Sequence, residues 1–215
     1  MKPSEVTLAI LAGGKASRLG GVPKGLLRVD GESLLDRQLR MGAECGLPEV
    51  LLVANEPGPY RDFLAAAPSV RVVADAIPDR GAPGGVHAAL VHGRTRWVLV
   101  LAADMPFLSA PVLRTLLAEA GNSPLACFES GGRLQPFPGV YAAELAETWA
   151  RLLDGQPSLN VLFRSMGGAV LPEEKLRRVD PDLLALVNVN RPEDRVRWKI
   201  DWPIGWKDAW VTADD

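Results

Sequence analysis

The chain has 215 residues, 47% of them hydrophobic and 23% charged, which is enough for a full hydrophobic core and excludes disorder as the main feature. Its 24 basic and 26 acidic side chains leave a net charge of −2, so there is no bulk positive field to hold nucleic acid or an anionic membrane. Two cysteines, Cys45 and Cys127, without C-x-x-C spacing exclude a disulfide framework and indicate a reduced, cytoplasmic protein.

No apolar run reaches the roughly 18 residues of a membrane span. The first apolar segment, from Val6 to Ala12, has the length of a signal-peptide core. Lys2 followed by Glu5 is a poor flank for one, however, and the run continues directly into Gly13-Gly14-Lys15. It reads as a buried strand feeding a glycine loop. Strands are predicted at 6–11, 50–53, 70–73, 97–102, 125–128, 139–141 and 185–189. Helical spacing appears between them. Leu34, Leu35, Leu39 and Cys45 line a helix over 33–45; Val112, Leu113, Leu116 and Leu117 one over 110–120; Leu145, Trp149, Leu152 and Leu153 one over 143–153. Pro192 suits the first turn of a helix over 192–198. This alternation predicts an α/β fold, a Rossmann-like three-layer sandwich with a mainly parallel central sheet. Glycine and proline concentrate in two loops, 13–25 and 78–85, each after a strand, where open α/β sheets bind ligands.

The stretch from Leu11 through Ala12, Gly13 and Gly14 to Arg18 and Lys24 is the most informative. Its four glycines let successive backbone N–H groups face an anion, and Arg18 and Lys24 add two cations. A polyphosphate would use all of these together. The Walker pattern fails because Gly25 follows Lys24, and no G-x-G-x-x-G occurs. The competing reading is a surface loop with two incidental cations; the preceding strand and the acids downstream favour phosphate. Asp104 follows the apolar strand 97–102 and opens Asp104-Met105-Pro106-Phe107. A carboxylate there is costly to bury unless it binds something, and Mg²⁺ prefers one or two carboxylates plus substrate phosphates. The alternative, a helix cap, is better served by Ser109. Asn55 and Asp75 end strands at the same sheet edge and are also common turn residues. Asn188 and Asn190 alternate, which on a strand points both to one face; an Asx turn before the next helix is the alternative. His87 and His92 lack a cysteine or third histidine to make a zinc site.

The loop resembles the L-A-G-G-x-x-x-R-[ML]-G…K signature of MobA-like nucleotidyltransferases, and within them the molybdenum cofactor guanylyltransferase family. Further matches are Asp104-Met105-Pro106-Phe107, the stretch Gly81-Ala82-Pro83-Gly84-Gly85-Val86-His87-Ala88-Ala89-Leu90 against G-P-L-G-G-I-x-A-A-L, and Asn188-Val189-Asn190-Arg191-Pro192 against N-V-N-T-P. The resemblance covers 6–198 and implies a domain over 1–198 of nucleotide-diphospho-sugar transferase type. It implies transfer of GMP from GTP to molybdenum-loaded molybdopterin, with Mg²⁺ on Asp104 and catalytic roles for Lys24, Arg18 and Asp104. Leu11, Ala12, Gly13, Gly14, Lys24, Asn55, Asp75 and Asp104 take the GTP-binding positions. Arg133, Gln135, Asn188 and Asn190 take those of the acceptor. Contacts with other cofactor-biosynthesis proteins or molybdoenzymes also follow from it. Two departures stand out: Pro23 replaces the acid that often precedes the loop lysine, and Ala82-Pro83 replaces Pro-Leu. Cytidylyl transfer to the pterin, transfer to a sugar phosphate, and a non-catalytic nucleotide binder are the other readings. Beyond the match, the extension 199–215 continues a tryptophan series (Trp198, Trp202, Trp206, Trp210), with Pro203 and Gly205 against a continuous helix. It is expected to pack on the domain or on a second subunit.

Overall fold

The computed structural model describes residues 1–13 and 19–206. Seven strands form one sheet in the order β5-β4-β1-β6-β8-β7-β9, with β1 Val6–Leu11, β4 Glu49–Val53, β5 Val70–Val73, β6 Trp97–Ala102, β7 Leu125–Ser130, β8 Arg133–Ala142 and β9 Ala169–Leu171. Strands β5, β4, β1 and β6 run parallel, β8 is antiparallel to both β6 and β7, and β9 is parallel to β7. The fold is therefore α/β with a mixed, mostly parallel sheet. A two-stranded hairpin, β2 Arg28–Val29 with β3 Glu32–Ser33, stands apart from it.

The central strands β1 and β6 are apolar except at Thr7, because both faces are covered. Leu8, Ile10, Leu99 and Leu101 face α1 (Leu34–Glu44) and α4 (Ala110–Glu119), whereas Ala9, Val98 and Val100 face α3 (Gly81–His92) and α5 (Ala146–Leu153). The first helix starts where Ser33 accepts a hydrogen bond from the Asp36 amide, a side-chain N-cap. Smaller helices complete the layers: α2 Arg61–Ala66, α6 Leu159–Ser165, α7 Glu173–Arg177 and α8 Pro192–Arg197. A third, separate core joins Leu19, Val22, Leu27, Val29, Leu34, Val189 and Ile200, with Phe107, Trp198 and Trp202 packed against it. No helix among the described residues is long and apolar enough to cross a membrane.

Three sequence expectations change. The glycine-proline stretch 78–85 is not all loop: α3 begins at Gly81 and is buried from Gly84 to Leu90. Its glycines serve close packing, since a Cβ on Gly85 would sit 3.2 Å from the Leu11 side chain. A helix apolar all round gives no amphipathic period, which is why the pattern hid it. The strand expected at 185–189 is instead a 3-10 turn, Leu184–Leu186, followed by irregular chain. Leu183 at φ 56° and the Asp180 carboxylate, which accepts the Ala185 N–H, bend the segment; Ala185 and Val189 are buried by packing and not by strand pairing. Finally, the strand expected at 139–141 extends back to Arg133, which places Arg133 and Gln135 on β8.

Candidate active site

The carboxyl ends of β1, β4, β5 and β6 converge on one edge of the sheet. The Leu11 carbonyl accepts from the Ala103 N–H (3.0 Å), the Ala12 N–H donates to the Val53 carbonyl (2.9 Å), and the Tyr60 hydroxyl donates to the Ala12 carbonyl (3.1 Å). Leu11 and Ala12 are thus held from three sides, and Gly13 emerges exposed beyond them. Burial pushes the Tyr60 phenol up to about 12, so it stays a neutral donor. Gly14 and Arg18 lie outside the described residues, as does Trp210.

Lys24 opens a 3-10 turn, Lys24–Leu26, behind buried Pro23, whose carbonyl accepts the Leu26 N–H. The fixed φ of Pro23 thus supports the turn. Gly25 lies so close to α1 that a Cβ there would meet the Leu35 side chain at 2.8 Å. From this turn the Lys24 ammonium donates to Asp104 Oδ2 (2.9 Å) and to Asn190 Oδ1 (2.7 Å). Asp104 is held in turn: its carbonyl accepts the Val189 N–H at 3.0 Å, which ties the β6 exit to the 188–190 segment. Its side chain is 15% exposed, and Oδ1 is buried with no hydrogen-bond partner among the described residues.

A buried carboxylate oxygen without a partner is costly in a finished structure. Its chemistry fits a hard cation, and among the described residues no cluster of three His, Cys, Asp or Glu provides a cage for one. One carboxylate oxygen with phosphates and water as the other ligands is an arrangement that Mg²⁺ accepts.

Further along the edge, Asn55 and Asp75 lock together. The Asn55 amide donates to Asp75 Oδ2 (2.9 Å), and its oxygen accepts the Asp75 N–H (2.8 Å). This leaves Asp75 Oδ1 to accept from a ligand. Burial holds His87 on α3 below its usual value, with the Asp75 charge opposing the shift and His92 adding to it.

The remaining candidates separate. Asn190 joins Lys24, but Asn188 turns away and donates to its own Leu186 carbonyl (3.0 Å). With no strand there, the two asparagines do not share a face. The Asn190 and Arg191 N–H groups both donate to Asp194 (2.9 Å each), a local turn that starts α8. Arg133 is exposed at the start of β8, and Gln135 donates to its carbonyl (3.4 Å). Because β8 runs antiparallel to β6, both lie toward the Asp104 edge of the sheet.

Two positioning groups escape the motif reading. Gln38 is fully buried on α1 and donates to the Ala102 carbonyl (2.9 Å), two residues before Asp104. A glutamine among Leu34, Leu35 and Met41 on the buried stripe was the available signal. Tyr60 had none, since it reaches Ala12 only through the fold.

A mostly parallel sheet with a lysine–aspartate pair at the exit of its central strand is the arrangement from which the class follows. The chain belongs to the family described as the MobA-like NTP transferase domain, matched over residues 8–170, and is a nucleotidyltransferase of that family. It is 32% identical to the molybdenum cofactor guanylyltransferase of Syntrophotalea carbinolica, with 88% of this chain and 89% of that one covered. To the enzyme of the same name from Desulfosudis oleivorans it is 28% identical over 88% of this chain and 92% of that one. The crystal structure of molybdopterin-guanine dinucleotide biosynthesis protein A from Archaeoglobus fulgidus superposes with a TM-score of 0.74 at 25% identity, covering 89% and 96% of the two chains.

Proposed function

We propose that this protein transfers GMP from GTP to the terminal phosphate of molybdopterin carrying molybdenum, giving the guanine dinucleotide form of the cofactor and pyrophosphate. The observation that carries the reading is the split Asp104 carboxylate, with one oxygen on Lys24 and the other buried and free. The names of relatives about 30% identical over most of the chain supply the acceptor. For the base, Asp75 Oδ1 is an acceptor, which suits the adjacent N1–H and N2 amino donors of guanine. Cytosine presents one donor beside two acceptors. Leu11, Ala12 and Gly13 would line the nucleotide, with Gly14 and Arg18 completing the loop.

A phosphate monoester nucleophile has a second pKa near ~6 and is mostly ionised at neutral pH, so it needs no general base. This agrees with a site built from a lysine, an aspartate and amides. Lys24 would place its charge against the pyrophosphate as it departs, while Asn190 and Asp104 fix where that charge sits. Asp104 would hold Mg²⁺ through Oδ1, and the chemistry the ion supplies there is neutralisation of the phosphate oxygens. Arg133 and Gln135 remain candidates for the acceptor side. Asn190 belongs with Lys24 in this scheme.

Pyrophosphate release tests the proposal, measured with Mg²⁺ and molybdenum-loaded molybdopterin and with GTP, CTP, ATP or UTP supplied separately. Release with GTP alone is expected; release with CTP instead would overturn the base assignment, and none with any nucleotide would overturn the acceptor. Asp75→Asn should lower the GTP kcat/KM by about 10–100-fold, the value of a hydrogen bond to a charged group, and narrow the preference for GTP over CTP.

A further inference from the structure

Lys24 lies 80 residues from Asp104 and 166 from Asn190 in sequence, yet the three loops that carry them share one footing. Val22 and Leu27 flank Lys24, Phe107 follows Asp104, and Val189 precedes Asn190; all four belong to the third core or pack on it. Residues 195–202 close that core. Ile200 is 1% exposed within it, and Trp198 and Trp202 lie against it. Asp201 pairs with Arg28 in both directions, its N–H donating at 2.8 Å and its carbonyl accepting at 3.0 Å. The Arg195 guanidinium stacks on Trp202 at 4.4 Å and donates to the Ile200 carbonyl at 2.9 Å, while Trp198 meets Phe107 edge to face at 5.3 Å. All of this cover lies beyond residue 170, where the family match ends.

We infer that the segment 198–202 is a positioning element for Lys24, holding the turn that carries its ammonium in line with Asp104 and Asn190. The need for such an element is physical. The hairpin that follows Lys24 has strands of only two residues each, and an isolated pair of that size is not stable in water. Its second wall is the Arg28–Asp201 bridge, and its floor is Ile200 with the two indoles. Trp202 Nε1 is buried without a partner among the described residues, so there the ring contributes through its apolar faces and not through its N–H. The inference rests on the nucleotidyl-transfer reading of the Lys24 site.

The test compares Trp202→Ala, Trp202→Phe and the milder Arg195→Ala, each alone and combined with Lys24→Ala. Two readouts are used on protein checked to be folded: GTP turnover, and calorimetric binding of inorganic pyrophosphate in the presence of EDTA. Trp202→Ala is expected to lower kcat by about 10–100-fold with a smaller change in the KM for GTP, as for an ångström-scale misplacement. It should also weaken pyrophosphate binding, and Trp202→Phe should restore both. On the Lys24→Ala background, the indole and guanidinium changes should add nothing, because residues acting through one group are not additive. If Trp202→Ala unfolds the chain, Arg195→Ala carries the same expectation at smaller size. Folded variants with unchanged kcat and pyrophosphate affinity would overturn the inference, as would losses that persist undiminished without Lys24. Failure of the nucleotidyl-transfer reading is a different result: no turnover by the unmodified protein, with pyrophosphate binding still responding to Trp202 through Lys24.

Discussion

At the amino edge of the sheet, Glu49 is surrounded by donors. Oε2 accepts from the Thr7 hydroxyl (2.6 Å) and the Arg94 N–H (3.0 Å), and Oε1 accepts from Arg71 at 2.7 and 3.1 Å. At the carboxyl edge, Asp104 is buried to a similar depth, with side-chain exposures of 14% for Glu49 and 15% for Asp104. Yet it has one cation on Oδ2 and nothing on Oδ1. Burial alone therefore does not separate a structural acid from a functional one; the count of satisfied lone pairs does. Glu49 closes the ends of β1, β4, β5 and the α3–β6 connection with bonds internal to the fold. Asp104 keeps an acceptor in reserve, and the same edge carries a second one on Asp75.

This contrast can be broken by exchanging the two losses. Asp104→Ala should abolish measurable nucleotidyl transfer while leaving a folded protein, since the side chain makes one ion pair, to Lys24, and the backbone bond from Val189 to the 104 carbonyl is kept. A turnover assay with circular dichroism on the same sample checks it. Lys24→Ala should cost about 10²–10³-fold in kcat, the usual value of one electrostatic transition-state donor, again in a folded chain. Glu49→Ala should do the reverse, lowering the unfolding free energy by about 2–3 kcal/mol with kcat unchanged, as read by urea titration and turnover. A Glu49 variant that lost activity at full stability would remove the distinction between the edges.

A smaller effect sharpens it further. Burial pushes the Glu49 carboxyl up, but the Thr7, Arg94 and Arg71 donors outweigh that and hold it below its ordinary value of 4.5. A lowered folded value means that the unfolded chain binds the proton first. The stabilisation from Glu49 is complete above about pH 4.5 and is lost as the pH falls through the folded value. Glu49→Gln should therefore flatten the acid limb of stability against pH, measured by thermal unfolding between roughly pH 3 and 6.

Much of the fold was written in local pattern. The four parallel strands announced themselves as apolar runs because both their faces are covered, and α1, α4 and α5 because one face is wet. Helix α3 was illegible for the opposite reason: Gly84, Gly85, Ala88 and Ala89 let it pack closely on one face of the sheet and leave no polar stripe. The segment 185–189 misled because burial by packing looks like burial by pairing in a one-dimensional pattern. In the site, Lys24 and Asp104 could be named from their positions after strands, and their ion pair follows from the topology that brings β1 beside β6. That Asn190 serves Lys24 while Asn188 does not depends on the bend at Leu183 and the Asp194 turn, neither of which has a spacing signal. Gln38 was visible as a polar residue on a buried stripe, whereas the reach of Tyr60 to Ala12 exists only in three dimensions.

The most direct test of the reserve acceptor on Asp104 is the affinity for GTP, measured by calorimetry with and without Mg²⁺, in the unmodified protein and in Asp104→Asn. Mg²⁺ is expected to tighten GTP binding in the first and to make no difference in the second, with both proteins folded. Equal tightening in both would mean that Asp104 does not hold the metal, and that its unpartnered oxygen has some other purpose.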